Sequence, residues 1–308
     1  MITFSLGNQT YFTEFILLGF GNLPELQILF FLLFLGIYAV TVAVNILIAA
    51  LPRLHTPMYF FLGNLSCLDI CYSTVTVPKM LAGFLSRHEI ISFTDCLAQL
   101  HFFHFLGSSE AVLLAVMAYD RYVAICNPLR YRLVMSPRVC LLLAAATWSS
   151  GFLHALMHTV MTSRLRFCGP NRVPHFFCDI KPLLSLACSS THLNLSLLNI
   201  VTGGIVIGPF MLTLLSYLYI ISFLLLKVPS RESRRKAFST CTSHLTVVTL
   251  LYVPVIFNYV LPSRGDSPER DMIATLMYSI VTSVLNPLIY TLRNREVKSA
   301  LLIVRESS

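Results

Sequence analysis

The sequence predicts an all-α membrane protein, a seven-transmembrane helix bundle with a short amphipathic helix after the seventh span. Three observations carry this. Hydrophobic residues fill 56% of the 308 positions and the mean hydropathy is +0.74, more apolar surface than a water-soluble domain can hide. Seven runs nearly free of charge recur near 26–51, 58–77, 97–119, 139–162, 193–226, 237–261 and 272–292, each about as long as the ~20 residues that cross a bilayer as a helix. The stretches between them are mostly short, so residues 1–308 read as a single domain with tails at 1–25 and 293–308 and one long loop at 163–192.

Taken in order, the first tail carries the glycosylation sequon Asn8-Gln9-Thr10 and has no Lys or Arg before Arg53. It is expected outside the cell, with the first span acting as an uncleaved signal. With that orientation most of the 22 Lys and Arg fall inside, including Arg121, Arg130, Arg132, the cluster from Lys227 to Lys236 and the run from Arg293 to Arg305, as the positive-inside rule requires. The net charge of +8 then reflects topology and a lipid bilayer partner, not nucleic acid. The second span is expected to start at Pro57, because proline costs little in a first helical turn. Asn64-Leu65-Ser66 also matches a sequon but lies inside a span, and Asn194-Leu195-Ser196 sits at a boundary.

In the third span Cys96 precedes Arg121 by 25 residues, about 37 Å along a helix. That places them at opposite ends. Cys168, Cys178 and Cys188 share the long loop, and with Cys96 they allow three disulfide pairings. Cys67, Cys71, Cys126, Cys140 and Cys241 are expected as free thiols. After Asn294, Val297, Ala300, Leu301 and Val304 fall on one helical face, the pattern of a helix lying on the inner membrane surface.

Asp69 and Glu110 lie within spans. A carboxylate at a helix centre costs roughly 2.5–3.5 kcal/mol to insert, so such residues normally face a polar interior and mark function. Two adjacent carboxylates need a counter-ion or a shared proton. The expectation is either a sodium site at Asp69 and Glu110, helped by Asn45, Ser66 or Asn286, or a structural network in which one acid is protonated. Asp120-Arg121-Tyr122 closes the third apolar run, an acid-base-aromatic triplet where a helix meets water. It reads as a switch. Arg121, with its fixed fork of donors, is held by Asp120 in the resting state and re-aimed toward a partner protein on activation.

The string from Met117 to Cys126 around that triplet resembles odorant (olfactory) receptors of the rhodopsin-like G-protein-coupled receptor family, in its terrestrial-type (class II) subgroup. So do Pro57-Met58-Tyr59-Phe60-Phe61-Leu62 with Leu65-Ser66 and Asp69, Ser216-Tyr217, the run from Lys236 to His244, and the run from Asn286 to Asn294. These blocks span the chain in family order. Departures are Val44 before Asn45, Leu251-Tyr252-Val253 followed by Pro254, and Ser283 where a proline is usual, which bear on the bends of the sixth and seventh helices.

The resemblance implies disulfides Cys96–Cys178 and Cys168–Cys188, and Tyr217 and Tyr290 as active-state partners of Arg121, with Tyr122 and His244 in the same switch. Phe103, His104, Gly107, Ser108 and Ala111 recur at three- and four-residue steps, one stripe of the third span, and the resemblance implies that it walls a ligand cavity in the outer half of the bundle with Val201, Thr202, Ile205 and Val206 from the fifth. Tyr252, Val255, Ile256 and Tyr259 would come from the sixth, and Met272, Leu276 and Ser279 from the seventh. Phe176 and Phe177 would be its lid. Phe103 stands where amine receptors carry an aspartate, so the expected ligand is a small, neutral, mostly hydrophobic volatile odorant with one hydrogen bond to His104, Ser108, Thr202 or Tyr259. The implied partner is a heterotrimeric G protein of the stimulatory, olfactory type, which raises cyclic AMP.

Other classes fit less well. A transporter or channel predicts two related halves with broken segments, and no internal repeat is present. An enzyme needs a nucleophile-base or metal set, and none has motif spacing; His101 and His104, three residues apart, read as hydrogen-bonded core residues. A peptide or lipid receptor sits poorly with the short outer tail.

Overall fold

Seven helices long and apolar enough to cross a membrane account for most of the chain in this computed structural model, which describes residues 14–19, 26–50, 56–86, 89–168, 171–260 and 268–293. The Asn8 sequon and the helix expected after Asn294 lie outside the described residues. The first three spans are α1 (Gln27–Ala49), α2 (Pro57–Leu85) and α3 (Phe93–Cys126). A short helix, α4 (Tyr131–Val134), leads into the fourth span, α5 (Pro137–Ser163). In the long loop stands α6 (Ile180–Leu186). The fifth span is α7 (His192–Leu197) continued by α8 (Gly203–Lys227), the sixth is α9 (Arg231–Val255), and the seventh is α10 (Pro268–Leu276) continued by α11 (Thr282–Arg293).

Helix α2 starts with Pro57 in its first turn, as its sequence predicts. It ends eight residues beyond the apolar run, passing through Pro78 and Lys79. Charge marks where a run stops being apolar, not where backbone hydrogen bonding stops, and Lys79 reaches out of the helix to the Ile90 carbonyl at 3.0 Å and to Glu89 at 3.6 Å. Helix α3 begins where Ser92 accepts a bond from the Asp95 amide at 3.0 Å and donates to the Asp95 carboxylate at 2.7 Å, closing its first turn.

Burial sorts the spans. Helix α3 packs against α2, α5, α8 and α9 and is the central rod, whereas α1 buries only Thr41, Asn45 and Ile48. Leu29, Leu32 and Leu33 of α1 are exposed on the protein alone, a face that suits lipid. Polar side chains inside the spans turn to backbone carbonyls or to one another. Asn64 accepts from the Trp148 indole at 3.0 Å and donates to the Phe60 carbonyl at 2.9 Å, which uses up its sequon inside the bundle.

Three spans contain π-helical turns, at Leu198–Thr202, Ile256–Val260 and Met277–Val281. The second follows Pro254, whose ring nitrogen has no hydrogen for the preceding turn; the wider turn brings Asn258 and Tyr259 into the interior. The third precedes Ser283, which keeps its own ladder: its hydroxyl donates to the Ser279 carbonyl at 2.7 Å, and its carbonyl accepts from Asn45 at 3.4 Å.

At the Cys96 end three short strands form a cap the apolar pattern did not announce. Strand β1 (Glu14–Leu17) lies between β2 (Glu89–Ser92), antiparallel with Phe15 opposite Ile91, and β3 (Arg172–Val173), parallel with Leu17 opposite Val173. Two to four residues are too few for a period to show. Phe15 anchors the cap, buried between Phe93 and Phe167 at ring distances of 6.1 and 5.3 Å.

The approach of α3 and α5 depends on Gly151. A Cβ there would lie 2.1 Å from the Ser109 hydroxyl and 2.7 Å from the Phe105 carbonyl. Gly151→Ala should therefore destabilise the bundle by about 1–3 kcal/mol, read as lower surface expression and an earlier thermal transition in detergent. Because one of the clashing atoms is backbone, adding Ser109→Ala should restore only part of the loss.

Candidate functional site

At the capped end the long loop is fixed from several sides. Cys178 is bonded to Cys96 of α3, and Cys168 to Cys188 within the loop. The Gln99 side chain accepts from the Cys178 amide at 3.0 Å. Phe177, next in the loop, lays its ring 4.3 Å from that of Phe103. Cys67, Cys71, Cys126, Cys140 and Cys241 are free.

Asp179 ties the loop to two spans at once. Its carboxylate accepts from His104 of α3 at 3.0 Å, from the Tyr259 hydroxyl at 2.7 Å and from the Ile180 amide at 2.7 Å, where it caps α6. Burial alone would raise its pKa, but the bond and charge of His104, with His175 and Tyr259, outweigh burial and hold it at about 2. It is therefore ionised and satisfied. The reading that cationic amines lack a counter-charge missed this residue, because nothing in a loop sequence shows that an aspartate turns inward. Beside it, Lys181 bonds the Asn258 carbonyl and sits 5.8 Å from the Tyr259 ring centre.

Below this lid a cavity with about 470 Å3 of empty space, counting its mouth, is walled by the middle of the bundle. From α3 come Phe103, His104, Gly107, Ser108 and Ala111, the stripe its spacing predicts. Thr202 and Val206 come from the fifth span, and Tyr252, Val255 and Tyr259 from the sixth. Val201, Ile205, Ile256, Met272, Leu276 and Ser279 do not line it. The π turn at Met277–Val281 turns Tyr278 inward, and Tyr278 forms the wall in place of the other seventh-span residues. Tyr72, His154, Leu251 and Tyr278 are lining residues the sequence did not single out. His154 had the weakest signal available, a histidine in an uncharged run.

Two polar chains run through the wall. In one, Tyr259 is 3.1 Å from Tyr278, which accepts from Asn258 at 3.2 Å. In the other, Ser108 is 2.8 Å from His154 Nδ1, His154 Nε2 is 2.9 Å from the Thr202 hydroxyl, and His158 Nε2 is 3.0 Å from the same hydroxyl. Tyr252 donates to the Ala111 carbonyl at 2.7 Å, tethering the sixth span to α3. His101 is bonded to Thr159 at 3.1 Å, and no group of three or more His, Cys, Asp or Glu placed to hold a metal occurs among the described residues.

Halfway down, the Asn286 amide donates to Asp69 and to Glu110, both at 3.0 Å. Asn45 bonds the carbonyls of Thr41 and Ser283. Ser66 is buried nearby on α2. Four oxygens of this network, Asn45 Oδ1, Asp69 Oδ2, Glu110 Oε2 and Asn286 Oδ1, are buried without a hydrogen bond.

At the far end Asp120, 1% exposed, accepts from the Tyr131 hydroxyl of α4 at 2.7 Å. Burial and that bond push the Tyr131 phenol up, keeping it a donor. The expected clamp of Asp120 on Arg121 is not formed: no ion pair joins them among the described residues, since adjacent helical positions point apart, and Tyr131 takes the carboxylate. Tyr217 and His244 stack at 5.6 Å, and Tyr217, Ala118 and Cys241 pack with Tyr122 into one cluster. The Tyr290 side chain lies outside the described residues.

Seven spans, a disulfide-pinned lid over a small cavity and an Asp-Arg-Tyr triplet at the opposite end define a G-protein-coupled receptor. The model of the olfactory receptor family matches residues 27–305. The chain is 60% identical to human olfactory receptor 12D1 over 95% of its length and 93% of that protein's. It is 58% identical to human olfactory receptor 12D2 over 96% and 97%, and 49% identical to gorilla olfactory receptor 1E2 over 96% and 95%. This chain belongs to the olfactory receptor family, a family of multi-pass membrane receptors and not of enzymes.

His175 in the lid supplies a pH test. Burial lowers its pKa to about 4, against the pull of Asp179, and its Nδ1 accepts from the Phe177 amide at 3.4 Å. Unfolded, the ring titrates near ~6.5, so its contribution to stability is complete above that value and is lost as pH falls toward 4. Thermal unfolding of the purified receptor should move to lower temperature across that window, and His175→Asn should flatten the dependence.

Proposed function

We propose that this olfactory receptor binds a small, neutral, mostly hydrophobic volatile in the cavity beneath the lid and activates a stimulatory, olfactory-type heterotrimeric G protein, raising cyclic AMP. The carrying observation is the wall itself: aromatic and aliphatic with hydroxyl and imidazole anchors, and without an acidic side chain, Lys or Arg. The buried acid beside it, Asp179, is already taken by His104, Tyr259 and the Ile180 amide, so a charged ligand would lose its water with no free opposite charge to meet it. The cavity is also too small for a peptide. Polar groups that fix orientation in an apolar pocket are the usual design of small-molecule sites.

The orientation that goes with this reading has the N-terminus and disulfides outside the plasma membrane and the C-terminus inside. Two disulfides at one end suit the oxidising side. Arg121 would then face the cytoplasm with Tyr122, Tyr217, His244 and Tyr290 as its switch partners, while Asp120 releases Tyr131 as the inner ends of the helices move. Cells expressing the chain should answer some members of a panel of neutral volatiles with cyclic AMP. Arg121→Ala should abolish the response while surface staining persists. A response carried by another second messenger would overturn the coupling.

The centre of the bundle fits a sodium ion. The four unsatisfied oxygens of Asn45, Asp69, Glu110 and Asn286 are the hard donors such a cation takes, and a positive charge would offset two buried carboxylates. Ser66 is the further candidate helper. Replacing sodium by a larger organic cation should raise basal cyclic AMP in the wild type and leave Asp69→Asn unmoved. A sodium effect that persists in both Asp69→Asn and Glu110→Gln would place the ion elsewhere and leave a shared proton in this network.

A further inference from the structure

The hydrogen-bond chain from Ser108 through His154 and Thr202 to His158 keeps its three links in either direction, with the His158 Nδ1 at its far end outside them, and this property selects a ligand class. Every link joins a hydroxyl to a ring nitrogen. A neutral imidazole carries one donor and one acceptor nitrogen, and a hydroxyl is both donor and acceptor. In one direction Ser108 donates to His154 Nδ1, His154 Nε2 donates to Thr202, and Thr202 donates to His158. The Ser108 oxygen then has a lone pair for a ligand that donates. In the other direction His158 donates to Thr202, Thr202 to His154 Nε2, and His154 Nδ1 to Ser108, whose hydrogen is freed for a ligand that accepts. The change is two tautomer shifts and two hydroxyl rotations. No charge appears and no link is lost.

His154, His158 and Thr202 are buried, at 5, 2 and 4% exposure, so water does not pin the direction. Ser108, His154 and Thr202 all line the cavity, and Ser108 is the end of the chain there, bonded within it to His154 alone. The second polar chain of the wall lacks this freedom. Asp179 is an ionised acceptor at its end, so Tyr259 must donate to it, which fixes the direction there.

We infer that this chain is a reversible polar anchor, so that the receptor accepts an alcohol and the carbonyl compound of the same carbon skeleton with similar potency. The inference rests on the proposed binding of neutral volatiles in this cavity. His158, behind the wall, and Thr202, in it, act as positioning residues by letting Ser108 present either a lone pair or a hydrogen.

The test uses matched pairs of primary alcohol and aldehyde on cells expressing the full chain, with cyclic AMP as readout and surface staining to normalise each variant. In the wild type the half-maximal concentrations of a pair should agree within about threefold. Ser108→Ala should weaken both members by about five- to tenfold, the worth of one net hydrogen bond; Ser108→Cys, close in size and a poor hydrogen-bonding group, serves if the alanine variant does not reach the surface. Thr202→Val breaks the chain behind His154. An orphaned buried N–H is rarer than an orphaned acceptor, so His154 should then keep its hydrogen on Nδ1, facing Ser108, whose own hydrogen stays free. An aldehyde takes that hydrogen at no loss, whereas an alcohol that accepts it leaves its O–H buried without a partner, so preference should shift about tenfold toward the aldehyde.

That change in ratio is what a merely structural tie between the fourth and fifth spans would not produce. The inference is overturned if the wild type answers only one member of the pairs, if Ser108→Ala affects only one, or if Thr202→Val moves both equally. A receptor that answers no neutral volatile at all overturns the functional reading itself, and the anchor with it.

Discussion

Asn286 bridging Asp69 and Glu110 is the contact on which the interior depends. Two carboxylates at the centre of a membrane protein are costly without polar partners, and one amide from the seventh span meets one oxygen of each, drawing α2, α3 and α11 to a common point. With the Asn45 bond to the Ser283 carbonyl added, the first and seventh spans are held there too. The cavity lies on one side of this knot and the Asp120 end on the other. Any signal between them must pass through or around polar contacts that have little slack in a close-packed core.

The lipid environment explains why polar residues, not greasy ones, carry the specificity. Helices that turn leucines outward gain nothing from hiding them from each other, so close approach and hydrogen bonds between side chains decide which faces meet. Gly151 lets α5 settle against α3, Trp148 finds Asn64, and Tyr252 finds the Ala111 carbonyl. The same economy builds the pocket, whose polar atoms are mostly spoken for by neighbours before any ligand arrives.

Much of this was legible in the chain. Apolar runs gave the seven spans, Pro57 the start of the second, and helical spacing the α3 stripe from Phe103 to Ala111. That Asp69 and Glu110 turn to a polar interior followed from the cost of burying acids, and their network with Asn286 from the family resemblance. What stayed hidden has a physical cause in each case. Strands β1, β2 and β3 are too short to show a period. The π turns rotate the seventh span by a fraction of a turn, which replaces Met272, Leu276 and Ser279 with Tyr278 at the wall. Tyr131 takes Asp120 from Arg121 because a loop helix folds back, and Asp179 turns inward because a disulfide one residue away fixes its direction. Pairings between distant segments set these features, and local pattern does not record them.

Strand β1 has a consequence for biogenesis. It is synthesised before any span, yet its parallel neighbour β3 follows the fourth. The leading segment can pair with β2 once the second span is made, but its other edge must wait for β3 while two more hydrophobic helices are threaded. Only then can the cap close around Phe15, so a newly made chain with a faulty long loop presents its own first strand as the visible mark of incompleteness.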